Sequence, residues 1–320
     1  MGKKIVWADF LSTYGIVIVL LILTVFFSIA SSNFLTIDNI LNIMRQVSIV
    51  GIASVGITLV LISGGIDLSI GSIIGVAAVS AAILMKGGLS PVYAFVISLV
   101  ICTALGLLNG FLINQFKVPP LIATLGTMTS LRGLAFIITG GLPVFGFNES
   151  FSTFGQGYLW IIPIPVIVML VVFILGYIFL RYTKYGRYIY GVGGNEEATR
   201  LSGIKVKNIK YMVYGIGGAL SGLAGLVLLG RINSGQPQAG TNYEMDCITA
   251  AVLGGVSISG GEGRIGFVIV GVLIMGILSN GMIMLSVDEY VQRVLKGLVL
   301  IMAVSLDRFI QSRRNISTTK

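Results

Sequence analysis

The sequence contains no histidine, and this absence excludes whole classes of chemistry. Without imidazole there is no histidine general base and no histidine-ligated metal, so an HExxH motif is impossible. The two cysteines, Cys102 and Cys247, both lie in apolar segments. They are interpreted as small buried hydrophobic residues and not as a disulfide framework. We therefore expect no catalytic residue and no metal site on this chain.

Charged side chains are also scarce. Only 10% of the 320 residues are Asp, Glu, Lys or Arg, whereas 55% are hydrophobic. Soluble domains carry roughly 25% charged residues, so this chain cannot cover a water-facing surface. The composition predicts an all-α polytopic membrane protein with about ten transmembrane helices. The net charge of +9 is spread between apolar segments, which favours positive cytoplasmic loops over a nucleic-acid partner.

The apolar segments predict ten spans, at residues 12–30, 46–63, 69–86, 91–113, 120–139, 159–180, 209–230, 246–258, 265–285 and 290–306. The eighth is too short for a full crossing, so we expect a broken or re-entrant helix there. The first resembles a signal peptide, but we expect an uncleaved span. Most basic residues fall on one side, including Lys3, Lys4, Arg313, Arg314 and Lys320. This bias predicts that both termini are cytoplasmic.

A weak internal similarity suggests two related halves. The stretch GGIDLSIG at 64–71 is echoed by GGVSISGG at 254–261, and Asn109-Gly110 is echoed by Asn280-Gly281. Transporters built from two such repeats place the substrate path between them. Chance similarity among glycine-rich helices is the alternative interpretation.

The sequence has no GxxxxGK[ST] phosphate loop, so it cannot cradle ATP in that way. Ionisable residues inside spans are few, which argues for an energy source on another subunit. Gly64 and Gly65 predict a turn, and Asp67 after them suits the N-cap of the next helix. A proton or cation site at Asp67 is the alternative.

The fifth predicted span is unusually polar. It contains Arg132, and Gly126, Ser130 and Gly133 form a small-residue strip suited to close helix packing. An arginine at the centre of a span costs about 2.5–3.5 kcal/mol on insertion scales, so Arg132 is expected to face protein or water, or to snorkel. The candidate path residues are Asn109, Thr127, Arg132 and Asn280.

The stretch NEEATRLSG, residues 195–203, is a charged island in this apolar chain. Asn195 suits an N-cap, Glu196 and Glu197 suit the first turn of a helix, and Gly203 suits the position after its end. The surrounding loop, about 181–208, is longer than a connection between two spans requires. A solvated surface helix is the simplest interpretation, but the length of the loop favours a docking element.

Several blocks of the sequence together resemble one known family. Glu197-Ala198-Thr199 followed by Gly203 resembles the EAA loop of ABC importer permeases, with Thr199 in place of the second alanine. Four longer stretches resemble the ribose-type sugar permeases: SGGIDLSIGSIIG, NGFLINQFKVPPLIATLGTMTSLRGLAFIITGG, GRYIYGVGGNEEATRLSGIKV and SGQPQAGTNYEMDCITAAVLGGVSISGGEGRIG. The resemblance covers roughly residues 35–306.

The resemblance implies a single permease domain over 1–320 in the bacterial cytoplasmic (inner) membrane. It also implies the partners: membrane lipid, a second permease chain (identical or a paralogue), an ABC ATPase and an extracytoplasmic sugar-binding protein. ATP and Mg²⁺ would bind the ATPase, so no cofactor is expected on this chain. The implied coupling helix comprises Asn195, Glu196, Glu197, Ala198, Thr199, Arg200, Leu201, Ser202 and Gly203.

The binding protein would meet loops on the opposite side, where Arg231 and Lys86 are the candidate contacts. A snorkelling arginine is the alternative for Arg231. The family transports ribose, xylose, galactose, related sugars and polyols, or autoinducer-2, and the sequence does not select among them. Two other functions stay open: a branched-chain amino acid or nucleoside ABC permease, and an ion-coupled secondary transporter.

Overall fold

The computed structural model describes residues 2–147 and 149–318, with side chains described for 15–147, 150–305 and 308. Its helices are α1 (Gly2–Ala30), α2 (Ile37–Ile62), α3 (Ile70–Lys86), α4 (Pro91–Gln115), α5 (Pro120–Thr139), α6 (Ser152–Gln156), α7 (Ile164–Tyr182), α8 (Lys184–Gly194), α9 (Glu196–Leu201), α10 (Val206–Ile232), α11 (Tyr243–Leu253), α12 (Ile265–Met284) and α13 (Glu289–Thr318). A 3₁₀ turn (Glu149–Phe151) and a small hairpin, β1 (Tyr158–Leu159) with β2 (Ile162–Pro163), join α5 to α7.

All ten predicted spans overlap helices of the structure, namely α1 to α5, α7 and α10 to α13. Among the described residues, six helices are long and apolar enough to cross a membrane: α2, α4, α5, α7, α10 and α12. The all-α class and the membrane-spanning character are thus confirmed. The number ten and the cytoplasmic termini stay predictions, and the side chains of Lys3, Lys4, Arg313, Arg314 and Lys320 lie outside those described.

Two boundaries differ from the prediction for local reasons. Helix α2 begins at Ile37, nine residues before the predicted span, because the Thr36 hydroxyl caps it by accepting a hydrogen bond from the Asn39 N–H at 3.4 Å. Helix α11 has only 11 residues, about 16 Å at 1.5 Å per residue, so it is too short to cross. It ends at Leu253, earlier than predicted, because Gly254 caps it and Gly255 takes a positive φ of 79°.

Helices α2 and α10 form the centre of the bundle. Helix α10 packs against α2, α3 and α4, and glycines allow the backbones to touch. A Cβ added to Gly218 would lie 2.8 Å from the Gly106 Cα, and one added to Gly56 would lie 3.0 Å from the Gly217 Cα. Only glycine permits helices to approach this closely, which explains the small-residue pattern of α10.

Three non-helical segments lie between the long helices, at 63–69, 233–242 and 254–264. They contain buried residues such as Asp67, Ser234 and Val256. Irregular backbone at membrane depth is tolerated only where protein covers it or a cavity hydrates it. These segments therefore mark the places where the interior of the protein departs from a simple helical bundle.

Candidate functional site

The charged island forms a capped helix that projects from the bundle. The Asn195 Oδ1 atom accepts a hydrogen bond from the Ala198 N–H at 2.8 Å, which caps the start of α9. At the other end, Ser202 is the C-cap and Gly203 takes a positive φ of 83°, with its N–H donating to the Arg200 carbonyl at 3.0 Å. Both ends of α9 are therefore fixed by local geometry.

The charges of α9 are paired within the chain. The Arg200 Nε donates to the Glu197 Oε2 at 2.9 Å, and the Lys210 Nζ donates to the Glu196 carboxylate at 2.8 Å. The hydrogen bond from Arg200 lowers the pKa of Glu197 below its usual value. Lys210 lies on α10, so its bridge ties α9 to a long helix. Both glutamates stay exposed, and each ion pair contributes little to stability.

One side of α9 is buried and the other is exposed. Thr199 is buried, and its hydroxyl donates to the Asn195 carbonyl at 2.8 Å. Leu201, in contrast, has 74% of its surface exposed. Leu201 is therefore the large aliphatic side chain that α9 presents away from the rest of the chain.

Asp67 is not the N-cap predicted from the sequence; Ser69 occupies that position. The Asp67 Oδ1 accepts hydrogen bonds from the Ser69 N–H at 2.9 Å and from the Ser69 hydroxyl at 2.6 Å. Asp67 therefore forms a local turn two residues before the N-cap of the helix, as aspartate side chains often do. Gly64, at φ 79°, and Gly65, whose N–H donates to the Val60 carbonyl, make the preceding turn.

Two predicted path residues join this turn in one hydrogen-bonded chain. The Thr127 hydroxyl donates to the Asn109 Oδ1 at 2.8 Å, and the Asn109 Nδ2 donates to the Ser69 hydroxyl at 2.8 Å. Since the Ser69 hydroxyl in turn donates to Asp67, this series of hydrogen bonds links α5, α4 and the segment 63–69. Asn109 is fully buried, so it faces protein and not an open path. Sequence reasoning missed Ser69, which was visible only as part of the GGIDLS block.

Arg132 holds the segment that precedes α11. Its Nη1 donates to the carbonyl oxygens of Pro237 at 2.7 Å and Ala239 at 2.8 Å. Glu244 lies close enough to interact with it electrostatically. Of the two interpretations of Arg132, the geometry favours structural pairing, because the guanidinium satisfies backbone groups that would otherwise be buried without partners.

Asn280 is buried against Asn39 and contacts no open path. Each side-chain amide donates to the other's oxygen, at 3.0 Å and 2.9 Å, which joins α2 to α12. Sequence reasoning missed Asn39, because an asparagine in the first turn of a helix is usually part of a cap.

A second feature that the sequence did not reveal is a shielded ion pair. The Lys296 Nζ lies 2.8 Å from the Asp246 Oδ2, which joins α13 to the short helix α11. The pair lines a cavity of about 60 Å³ together with Gln46, Tyr243 and Ser279. Ionisable residues at such depth usually pair with each other, as these do.

The two candidate docking residues differ in their surroundings. The Arg231 Nη2 donates to the Asn42 Oδ1 at 3.0 Å, so this cation already has a partner within the chain. Lys86 is exposed in the last turn of α3. Of the two, Lys86 is the more accessible to another protein.

Helix α5 presents a polar face to the outside of the chain. It is the least buried of the six candidate spans, and Gly126, Thr129, Ser130 and Gly133 are exposed on it. A Cβ added to Gly126 or Gly133 would meet nothing within 4 Å. The small-residue strip predicted from the sequence therefore has no helix against it within the described chain.

Comparison with known proteins identifies the family. The model of the branched-chain amino acid transport system / permease component family matches residues 39–304. The chain belongs to this permease family. The permease is 44% identical over 308 residues to the ribose import permease protein RbsC of Bacillus subtilis (strain 168), covering 96% of each chain. No solved structure matches the permease.

Other relatives carry sugar names as well. The permease is 42% identical over 310 residues to the ribose import permease protein RbsC of Escherichia coli (strain K12), covering 96% of this chain and 97% of the relative. It is 36% identical over 301 residues to the L-arabinose transport system permease protein AraH of the same organism, covering 94% and 92%. Together with the six apolar helices, this membership identifies a multi-pass inner-membrane protein.

Proposed function

We propose that the permease is the membrane subunit of a binding-protein-dependent ABC importer for a ribose-like monosaccharide. The observation that carries the proposal is α9, a capped, charged helix with an exposed leucine in the loop about 181–208. The relatives support the sugar, since they are named as ribose import permeases and an L-arabinose permease. The permease forms the path and is not itself an enzyme.

A separate ATPase supplies the energy in this proposal. The chain has no phosphate loop, so ATP and Mg²⁺ bind on the ATPase and no cofactor binds the permease. Helix α9 docks on that subunit through Leu201, and the charges of Glu197 and Arg200 set its orientation. The docking loop is therefore cytoplasmic in this proposal. When α11 and the irregular segment 254–264 are counted together as one discontinuous crossing, the ten spans place both termini inside and form two related halves.

A second permease chain, identical or paralogous, completes the path. The exposed strip of Gly126, Ser130 and Gly133 on α5 suits a helix of that chain, because small residues let backbones approach closely in a membrane. Thr129, which is exposed beside this strip, then gives the path a hydroxyl group that can hydrogen-bond a sugar. Membrane lipid covers the remaining apolar faces.

An extracytoplasmic sugar-binding protein delivers the substrate in this proposal. Its docking surface includes Lys86, because this lysine is exposed at the end of α3 opposite the docking loop. Arg231 contributes less, since it is hydrogen-bonded to Asn42.

Transport of branched-chain amino acids is the second candidate, because the matching family model carries that description. Uptake of radiolabelled ribose by cells that express the complete system distinguishes the two. Excess unlabelled ribose should abolish the signal, whereas excess leucine should leave it unchanged. Absence of ribose uptake together with uptake of radiolabelled leucine would replace the sugar with an amino acid.

The ATPase partner is tested by purifying the tagged permease from native membranes in mild detergent. The intact chain should bring down an ATPase subunit, and a chain with residues 196–201 scrambled should not. A matched control scrambles 311–316, far along the chain from the docking loop. If the ATPase is recovered equally with the intact chain and both scrambled chains, the docking site lies elsewhere on the permease. If no ATPase is recovered even after chemical cross-linking in the membrane, the importer class is contradicted.

A further inference from the structure

Three glycine-containing segments that are far apart in the sequence meet beside α9. A Cβ added to Gly193, in the last turn of α8, would lie 2.5 Å from the Gly261 nitrogen and would collide with the Ile62 carbonyl oxygen. A Cβ added to Gly260 would lie 2.7 Å from the Gly64 Cα and 2.9 Å from the Gly193 oxygen. We call the group of Gly64, Gly193, Gly260 and Gly261 the glycine junction.

The contacts within the glycine junction are made by backbone. The Gly261 N–H donates a hydrogen bond to the Ile62 carbonyl at 2.9 Å, and Gly64 takes a positive φ of 79° there. Real Cβ atoms are not found this close to other atoms, so glycine is required at Gly193 and Gly260. Backbone in direct contact has no flexible side chain to absorb a displacement, so movement on one side is passed to the other.

One side of the glycine junction leads directly to the docking helix. Gly193, in the last turn of α8, is two residues from Asn195, which ends α8 and caps the start of α9. A second link runs beside it, because the Tyr190 hydroxyl on α8 donates to the Gly263 carbonyl at 2.7 Å. A displacement of α9 therefore reaches the segment 254–264 through two contacts.

The other side leads to the polar interior. Gly64 is three residues from Asp67, and Asp67 begins the hydrogen-bonded chain through Ser69 and Asn109 to Thr127 on α5. The Thr124 hydroxyl also contacts the Ile66 carbonyl, at 3.3 Å. The segment 63–69 is thus connected to the glycine junction at one end and to α5 at the other.

We infer that the glycine junction transmits the displacement of α9 to the segments 63–69 and 254–264, so that Gly193 and Gly260 are positioning residues for transport. The inference rests on the proposed function of α9 as the docking helix. It assigns a role to backbone contacts and not to a charged or polar side chain. Transmission requires tight contact within the glycine junction, because a gap there would let α9 move without displacing the segments 63–69 and 254–264.

The neighbouring glycines provide a matched test. Gly193 and Gly194 both lie at the end of α8, but a Cβ at Gly194 would meet nothing within 4 Å. Gly193→Ala inserts a methyl group into the glycine junction, whereas Gly194→Ala adds the same methyl group to open space. Both variants are reconstituted in proteoliposomes with the ATPase and the binding protein. Two quantities are measured for each variant: the sugar transported per ATP hydrolysed, and the amount of ATPase that stays bound to the permease.

We expect Gly193→Ala to lower transport per ATP by about tenfold while ATPase retention stays unchanged. Gly194→Ala should behave as wild type in both measurements. Unchanged transport per ATP in Gly193→Ala would overturn the inference. So would equal losses of transport and retention, because that result would mean that the methyl group only damages the docking loop.

A second pair checks the same inference away from the docking loop. Gly260 and Gly255 both have positive φ, 85° and 79°, but only a Cβ added to Gly260 would meet other backbone. Gly260→Ala should uncouple transport, and Gly255→Ala, which introduces the same backbone strain, should not. If both uncouple equally, backbone strain explains the effect and the inference fails. A wild-type chain that retains no ATPase would refute the proposed function itself, before any variant is compared.

Discussion

Asn39 and Asn280 exchange two side-chain hydrogen bonds, with N···O distances of 3.0 and 2.9 Å, although 241 residues separate them in the chain. The pair is buried and joins α2 to α12. Each amide satisfies the other where little water can replace it, and the Asn39 Nδ2 also donates to the Phe34 carbonyl at 2.8 Å. Removal of Asn280 therefore leaves the Asn39 Oδ1 without its donor.

Asn280→Leu should lower the stability of the permease by about 1–2 kcal/mol, because the buried Asn39 Oδ1 loses its donor. The double variant Asn39→Leu with Asn280→Leu should lose less stability than the two single losses added together, since each single variant already breaks the shared pair. Thermal unfolding in detergent measures both. A double variant whose loss equals the sum of the two single losses would show that the pair is not coupled.

The ion pair of Lys296 and Asp246 gives a second stability prediction. Lys296→Met leaves the mostly buried Asp246 carboxylate without a partner and should cost about 3 kcal/mol. Adding Asp246→Asn to that variant should restore most of the loss, because it removes the unpaired charge. The check is the unfolding temperature of the three variants, with Lys86→Met, at an exposed lysine, as the control. If Lys296→Met is as stable as the control, the pair does not hold α13 to α11.

Arg132 is expected to keep the segment before α11 in place. Arg132→Gln should release the carbonyls of Pro237 and Ala239, so hydrogen exchange of the amides at 238–242 should become faster. Arg132→Lys should give an intermediate rate, because an ammonium group lacks the planar fork of guanidinium. Exchange that stays at the wild-type rate in Arg132→Gln would mean that other contacts fix this segment.

Leu201 is expected to matter for docking and not for folding. Leu201→Asp should weaken retention of the ATPase by about tenfold or more, because a buried aliphatic contact at an interface is replaced by a charge. Its unfolding temperature should not change, since the side chain is exposed. Leu201→Met is the control and should retain the ATPase. Normal retention in Leu201→Asp would place the main contact on another part of the loop.

Local features were predictable from the sequence. Every predicted span overlaps a helix, because each span carries its own hydrophobic signal. The caps of α9 were predictable as well, since Asn195 and Gly203 act within a few residues of their own positions. The wrong cap at Asp67 shows the limit of such rules, because Asp67 and Ser69 both suit the start of a helix and only their geometry decides between them.

Long-range pairs were not predictable. Nothing near Asn280 in the sequence points to Asn39, and nothing near Lys296 points to Asp246. The echo between GGIDLSIG and GGVSISGG was visible, and the structure places Gly64 of the first against Gly260 of the second. That contact depends on how α2, α8 and α11 end in space, which no local pattern specifies.

The most direct test of the central claim is ribose uptake into proteoliposomes that contain the permease, its ATPase and the sugar-binding protein. Our account predicts that ribose uptake requires all three proteins and ATP on the side of the membrane where the ATPase lies. Uptake should not respond to a proton or sodium gradient. Uptake by the permease alone, driven by such a gradient, would contradict the account and identify a secondary transporter.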